Sequence, residues 1–229
     1  MDKWVYLFEE GERGMVAFLG GKGAGLAEMS RVGLPVPPGF TITTEACRAY
    51  YAHDKLFPEG MWSQSKAALK VVEEKTGKRF GDPANPLLVS VRSGAPVSMP
   101  GMMDTVLNLG LNAQTLNGLT HLTGDERFSW DAYRRFVQMF GEIVLGVPSE
   151  NLDRAMEAVK AKANAKRDAD LGVADLRTIV DRFKEIIFGE ARQDVPEDPE
   201  EQLRLAIAAV FDSWMNRRAV DYLLAGSAR

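Results

Sequence analysis

The chain has 229 residues, of which 45% are hydrophobic and 26% are charged, the composition of an ordinary globular protein with one core or a core and a smaller second lobe. Its formal net charge is −4 with both signs interspersed, so no basic face indicates binding to nucleic acid or to a membrane surface. No apolar run approaches the ~18 residues of a transmembrane helix, and the first residues lack a signal-peptide pattern, which predicts a cytoplasmic protein.

The first part of the chain predicts a strand followed by a glycine-rich turn. Residues 4–8 are aromatic and β-branched, which favours a strand. Glycines at positions 20, 21, 23 and 25 predict a turn that leads into a helix over residues 26–32, with Gly33 as its C-cap.

Lys22 would then lie at a helix N-terminus, where free backbone amides and the positive end of the helix dipole attract phosphate oxygens. The spacing does not fit a Walker A loop, because Gly23 follows the lysine where Ser or Thr is required, and it does not complete a dinucleotide fingerprint. A purely structural tight turn is the alternative interpretation of these glycines.

Two helices are predicted next, one capped by Thr43 or Thr44 and ending near His53, and an amphipathic one over residues 61–77. The single cysteine, Cys47, lies on the first of them and is interpreted as a small buried residue rather than a nucleophile. His53 has no second ligand at metal-binding spacing, so no metal site is predicted.

Residues 87–91 are apolar and β-branched and predict a buried strand that brings Arg92 to the edge of a sheet. A guanidinium group matches phosphate oxygens bidentately, and the amides of the following Ser93 and Gly94 can turn toward an anion. A surface salt bridge is the alternative role for this arginine. After a long loop with two prolines, residues 105–110 predict a short strand that returns to the same sheet.

The second half is predicted to be helical. Apolar residues recur at three-and-four spacing over residues 130–144, 152–166, 173–188 and 199–224. On the first of these helices Tyr133 and Phe136 belong to a core stripe, and Arg134 and Arg135 are interpreted as its solvated flank.

Three blocks of sequence carry a resemblance to a known family. Residues 20–29 read Gly-Gly-Lys-Gly-Ala-Gly-Leu-Ala-Glu-Met, residues 90–95 read Ser-Val-Arg-Ser-Gly-Ala, and residues 99–105 read Met-Pro-Gly-Met-Met-Asp-Thr. With them the chain resembles the N-terminal ATP-binding domain of the pyruvate phosphate dikinase family. The resemblance spans nearly the whole chain and fades after about Tyr222.

The resemblance implies an α/β fold, namely the first lobe of an ATP-grasp nucleotide-binding domain with an inserted all-helical subdomain. It places the first lobe at residues 1–111, the helical insert at 112–197 and a C-terminal helix that returns to the first lobe at 198–229. The change of hydrophobic period at Asn112 agrees with this division.

The same resemblance implies a phosphotransferase that converts ATP, pyruvate and phosphate to AMP, phosphoenolpyruvate and diphosphate through a carrier histidine that this chain does not contain. Lys22 and Arg92 would stabilise the ATP phosphates, and residues 99–105 would form a lid. The implied nucleotide contacts are Gly21, Lys22, Gly23, Arg92, Ser93, Gly101, Met103, Asp104 and Thr105.

The resemblance further implies magnesium, held mainly by carboxylates of a second ATP-grasp lobe, and partners in a phosphohistidine domain and a pyruvate-binding barrel. Members of the family are usually homodimers. Two alternatives stay open: a stand-alone lobe that binds another protein without catalysis, with Leu223 and Leu224 in an exposed patch, and a fragment of a related enzyme such as pyruvate,water dikinase.

Overall fold

The computed structural model describes residues 2–93 and 105–214. Within these ranges helices dominate and the strands are short, which confirms the predicted α/β class with a helical portion. None of the described helices is both long enough and apolar enough to cross a lipid bilayer.

The order of elements follows the chain. The helices and strands are β1 (Val5–Leu7), α1 (Val16–Arg31), β2 (Phe40–Ile42), α2 (Thr44–Ala52), α3 (Met61–Thr76), β3 (Arg79–Phe80), β4 (Pro86–Leu87), β5 (Val89–Arg92), β6 (Thr105–Leu109), α4 (Ala113–Thr123), α5 (Glu126–Met139), α6 (Ser149–Ala163), α7 (Val173–Ala191) and α8 (Pro199–Ser213). A π-helical turn at Phe140–Val144 continues α5. Helix α4 lies between the predicted strand at 105–110 and the first predicted helix of the second half, and it was not predicted.

The described strands form three separate pairs, β1 with β2, β3 with β4, and β5 with β6, and the last pair confirms that residues 105–109 return to the strand that ends at Arg92. The first pair is antiparallel and the second is parallel. The predicted buried strand at 87–91 is divided between β4 and β5, and in β5 the exposed Ser90 and Arg92 alternate with half-buried valines. This alternation is that of a strand with one face in solvent, not of a strand buried on both faces.

The chain divides into two compact units. The described part of unit 1 comprises residues 2–77, 92–93 and 210–214, and that of unit 2 comprises residues 78–91 and 105–209. The division into a lobe at 1–111, an insert at 112–197 and a returning helix at 198–229 stays a prediction.

Unit 1 packs α1, α2 and α3 with the β1–β2 pair and is tied to the end of α8. The Tyr51 hydroxyl donates to the carbonyl of Phe211 at 2.7 Å, and the Tyr50 ring centroid lies 5.2 Å from that of Phe211. On α3, Gln64 Oε1 accepts hydrogen bonds from the backbone of the β1 region. Side chains therefore connect segments far apart in the sequence.

Cys47 is buried on α2 and 3% exposed, as predicted. Burial raises the pKa of its thiol to about 12, with a smaller contribution from the negative charge of Asp212. A thiol with this pKa carries almost no thiolate near neutral pH, so the cysteine is unreactive in the folded chain.

Unit 2 is built on α5, which packs against α7, and α6 also packs against α7. Its fully buried side chains include Phe136, Phe140, Leu152, Ile179, Phe183 and Ile187. The predicted core stripe of α5 is therefore confirmed.

The prediction that Arg134 lies on a solvated flank of α5 is wrong. Its side chain is 4% exposed, whereas that of Arg135 is 57% exposed and agrees with the prediction. Arg134 tolerates burial because its guanidinium donates to Asp131 Oδ1 at 2.8 and 3.0 Å and to Gln138 Oε1 at 3.1 Å. The carboxylate of Asp168 lies 3.7 Å away.

Gln202 is fully buried and joins the two ends of the predicted helical insert. Its Oε1 accepts from the amide of Gly110 at 2.9 Å, and its Nε2 donates to the carbonyls of Leu111 and Pro196 at 2.9 and 2.7 Å. Beside it, Asn112 Nδ2 donates to the carbonyl of Glu197 at 2.9 Å. Residues near 112 and near 197 are thus held together by buried side-chain hydrogen bonds.

Replacing Gln202 with leucine should destabilise the protein, because one buried amide and two carbonyls lose their partners while the side-chain volume is nearly kept. We expect the free energy of unfolding to fall by about 2 to 4 kcal/mol in urea denaturation. Gln114→Leu, at an exposed position on α4, is the matched control and should change it by less than about 0.5 kcal/mol. Equal effects of the two substitutions would contradict the role given to Gln202.

The single thiol makes Cys47 a probe of unfolding. With a disulfide reagent at pH 8, we expect negligible labelling of the native chain and complete labelling in denaturant. Rapid stoichiometric labelling under native conditions would show that α2 opens readily.

Candidate functional site

Helix α1 is interrupted at Gly20, directly before the lysine singled out by the sequence. Gly20 has φ 70° and ψ 169°, a conformation that only glycine adopts readily, and the helix resumes after it. The predicted turn is therefore a single-residue break inside a helix that begins earlier than expected, at Val16. The prediction that Gly33 is the C-cap is wrong by one residue: the C-cap is Val32, and Gly33 follows it.

The break creates a second helix N-terminus within α1. Gly21, Lys22 and Gly23 form the first turn after Gly20, and backbone amides in a first turn have no carbonyl partner within their own helix. The expectation that Lys22 lies at a helix N-terminus is met by this local geometry. The Lys22 side chain is exposed and has no ion pair or hydrogen bond with any residue in 2–93 or 105–214.

The corner between β2 and α2 contacts the break on both sides. The Thr44 hydroxyl donates to the carbonyl of Ala17 at 2.6 Å, on the N-terminal side. On the C-terminal side, a Cβ placed on the buried Gly23 would lie 2.9 Å from Thr41 Cγ2 and 3.2 Å from Leu19 Cβ. Glycine at position 23 is therefore required by close packing against β2.

Arg92 is the last residue of β5, and its side chain is exposed, without an ion pair or hydrogen bond to another residue of the described part of the chain. The next residue, Ser93, is 3% exposed. Lys22, Arg92 and Ser93 all belong to unit 1, together with Gly21 and Gly23.

The remaining predicted contacts are distributed differently. Thr105 is the first residue of β6 and belongs to unit 2. Gly101, Met103 and Asp104, with the rest of the predicted lid at 99–104, lie outside the described residues. Across residues 2–93 and 105–214, no three His, Cys, Asp or Glu side chains are grouped so that they could hold a metal ion.

Sequence reasoning missed the contributions of Thr41 and Thr44. Thr44 was considered only as a helix cap, and the capping side chain is that of Thr43, which accepts from the amide of Ala46 at 3.2 Å. No periodicity or motif predicts a contact between Thr44 and Ala17, 27 residues apart. The Gly-Gly pair within a helical pattern was the one available signal of the break.

Comparison with known proteins covers nearly the whole chain. Residues 16–61 and 55–228 match the family model described as the pyruvate phosphate dikinase AMP/ATP-binding domain. The chain is 50% identical over 213 residues to pyruvate, phosphate dikinase 1, chloroplastic, of Arabidopsis thaliana, covering 93% of this chain and 22% of that protein.

Two bacterial relatives give the same result. Pyruvate, phosphate dikinase of Rhizobium meliloti is 50% identical over 97% of this chain and 25% of its own length, and that of Clostridium symbiosum is 47% identical over 97% and 26%. The chain therefore spans about a quarter of the length of these relatives.

Two glycine substitutions on α1 should have opposite effects on stability. Gly23→Ala places a methyl group against Thr41 and Leu19 and should cost about 1 to 3 kcal/mol. Gly25→Ala meets no atom within 4 Å and should gain about 0.5 to 1 kcal/mol by favouring the helix. Thermal unfolding of both variants measures the difference, and the same sign of shift for both would contradict the packing described at Gly23.

Proposed function

Because the chain belongs to the pyruvate phosphate dikinase family and matches its AMP/ATP-binding domain, we propose that it is the nucleotide-binding N-terminal portion of such an enzyme. The proposed reaction forms AMP, phosphoenolpyruvate and diphosphate from ATP, pyruvate and phosphate. The observation that carries the proposal is the exposed Lys22 in the first turn after the break at Gly20, in a chain with this relationship.

In the proposed role, Lys22 and Arg92 hold the phosphates of ATP. Each brings a positive charge that has no partner among the described residues, and neither has to form a covalent bond. Phosphoryl transfer places negative charge on the terminal phosphate oxygens, and fixed cations with oriented amides stabilise that charge. Gly21, Gly23 and Ser93 would contribute backbone amides, and Gly101, Met103, Asp104 and Thr105 would complete the nucleotide site.

The carrier histidine is proposed to lie in another part of the longer enzyme. The chain has two histidines, and both are exposed. His53 lies at the end of α2 with Nδ1 2.8 Å from the carbonyl of Ala49, and His121 lies in the last turn of α4. Neither position has the setting of a phosphate carrier, so the proposed partners include a phosphohistidine domain and a pyruvate-binding barrel.

Magnesium belongs to the proposal only through the rest of the enzyme. Mg²⁺ prefers carboxylate and phosphate oxygens in octahedral geometry, and the described residues offer no cluster of carboxylates for it. Its ligands are proposed to come mainly from a second ATP-grasp lobe. The cytoplasmic location and the homodimeric state expected from the sequence likewise remain proposals.

The alternatives raised by the sequence have less support. The relatives named above are all pyruvate, phosphate dikinases, which favours that branch over pyruvate,water dikinase. The stand-alone interaction module rested on a patch at Leu223 and Leu224, and both residues lie outside the described part of the chain.

The 229-residue chain alone should bind ATP weakly. A few charge-assisted hydrogen bonds, each worth about 1.5 to 3 kcal/mol, oppose an immobilisation cost of at least about 4 kcal/mol, so we expect a dissociation constant on the order of millimolar. Titration of ¹⁵N-labelled protein with ATP and magnesium, followed by amide chemical shifts, measures it. Lys22→Met and Arg92→Ala should each weaken binding about tenfold or more.

Matched controls carry the same substitutions at exposed positions in unit 1. Lys70→Met on α3 and Arg48→Ala on α2 should leave the affinity for ATP unchanged. Chromatography of nucleotides after incubation with ATP, pyruvate and phosphate should show no AMP release. Micromolar affinity that survives Arg92→Ala, or sustained AMP production by this chain alone, would contradict the proposed division of labour.

A further inference from the structure

The hydrogen bond from Thr44 ends on the carbonyl of Ala17, three residues before the break in α1 at Gly20. In a continuous helix the carbonyl of Ala17 would accept the amide of Gly21, four residues later. The angles of Gly20, φ 70° and ψ 169°, do not fit the helical geometry that this bond needs, and the Thr44 hydroxyl donates to the Ala17 carbonyl at 2.6 Å. Thr44 therefore satisfies an acceptor that the break would otherwise leave without its helical partner.

This contact distinguishes two conformations of the same segment. If Gly20 took helical angles, the Gly21 amide would be used by Ala17 and would no longer be available to a ligand. In the broken form the amide is released and the carbonyl is satisfied by Thr44. The hydroxyl thus stabilises the broken form relative to the continuous one.

Thr44 is itself held in place. It is 6% exposed, and it is the first residue of α2, directly after the cap residue Thr43. Three residues earlier, Thr41 on β2 packs against Gly23 on the other side of the break. One corner of the fold therefore fixes both ends of the interruption.

We propose that Thr44 is a positioning residue for the phosphate site, acting by holding α1 open at Gly20 so that the amides of Gly21 and Lys22 face the ligand. The proposal rests on the function proposed above, in which this turn binds the phosphates of ATP. Thr44 does not touch the nucleotide in this scheme, and its effect is transmitted through the backbone of α1.

The experiment compares three threonine variants of the ¹⁵N-labelled 229-residue chain in the ATP titration. Thr44→Val should raise the dissociation constant about three- to tenfold, the equivalent of one hydrogen bond, while Thr44→Ser should stay within about twofold of wild type. Thr43→Val removes the cap of α2 without touching Ala17, so it should lower the unfolding temperature and leave the affinity unchanged.

A second readout separates positioning from loss of stability. In ligand-free Thr44→Val, amide hydrogen exchange at Gly21 should become slower, because the amide gains the Ala17 carbonyl. General destabilisation would make the same exchange faster. Gly20→Ala should also favour a continuous helix, because alanine disfavours φ 70°. It should therefore slow exchange at Gly21 and weaken binding.

The outcomes separate this inference from the function on which it rests. Wild-type affinity and unchanged or faster Gly21 exchange in Thr44→Val, together with weak binding by Lys22→Met, would overturn the role of Thr44 and leave the phosphate site standing. Wild-type affinity in both Lys22→Met and Thr44→Val would overturn the phosphate site itself. If Thr44→Val does not fold, Gly20→Ala with the same two readouts decides the question.

Discussion

An interrupted helix must find new partners for the carbonyls before the interruption and for the amides after it. In α1 the interruption falls at Gly20. The Thr44 hydroxyl donates to the carbonyl of Ala17, three residues before the interruption. Among residues 2–93 and 105–214, no side chain accepts from the amides of Gly21 and Lys22, which lie next to the exposed ammonium group of Lys22. The proposed phosphate site is the consequence of satisfying one side of the break and not the other.

In unit 2, the buried polar side chains of Arg134 and Gln202 are hydrogen-bonded to other groups of the same unit. Arg134 is enclosed by Asp131 and Gln138, and Gln202 makes three hydrogen bonds to backbone groups that flank the helices. Satisfied networks of this kind specify one arrangement of a core, because any alternative arrangement leaves a buried group unpaired. Lys22 and Arg92, by contrast, are exposed and have no ion-pair partner among residues 2–93 and 105–214, as the ligand-binding role proposed for them requires.

Local patterns in the sequence predicted most of the helices, a cap at Thr43 or Thr44, the burial of Cys47 and the family. They worked because helical periodicity and capping depend on residues a few positions apart. The division of the strands into three pairs could not be predicted, because strands of two to five residues carry little information about their partners. Arg134 was misjudged because its charge alone indicated a solvated position, although Asp131 and Gln138 on the same helix receive its guanidinium group. Thr44 was overlooked because its partner is 27 residues away.

The discontinuous course of the chain has a consequence for synthesis. The last residue of unit 2 is Ala209, whereas unit 1 includes both N-terminal residues and Phe211. The Phe211 carbonyl accepts a hydrogen bond from the Tyr51 hydroxyl, 160 residues earlier in the chain. During vectorial translation the unit that begins first is therefore the one that finishes last. Its three N-terminal helices are synthesised before Phe211, the aromatic residue that packs on Tyr50, so the packing of unit 1 is completed only when the end of α8 emerges.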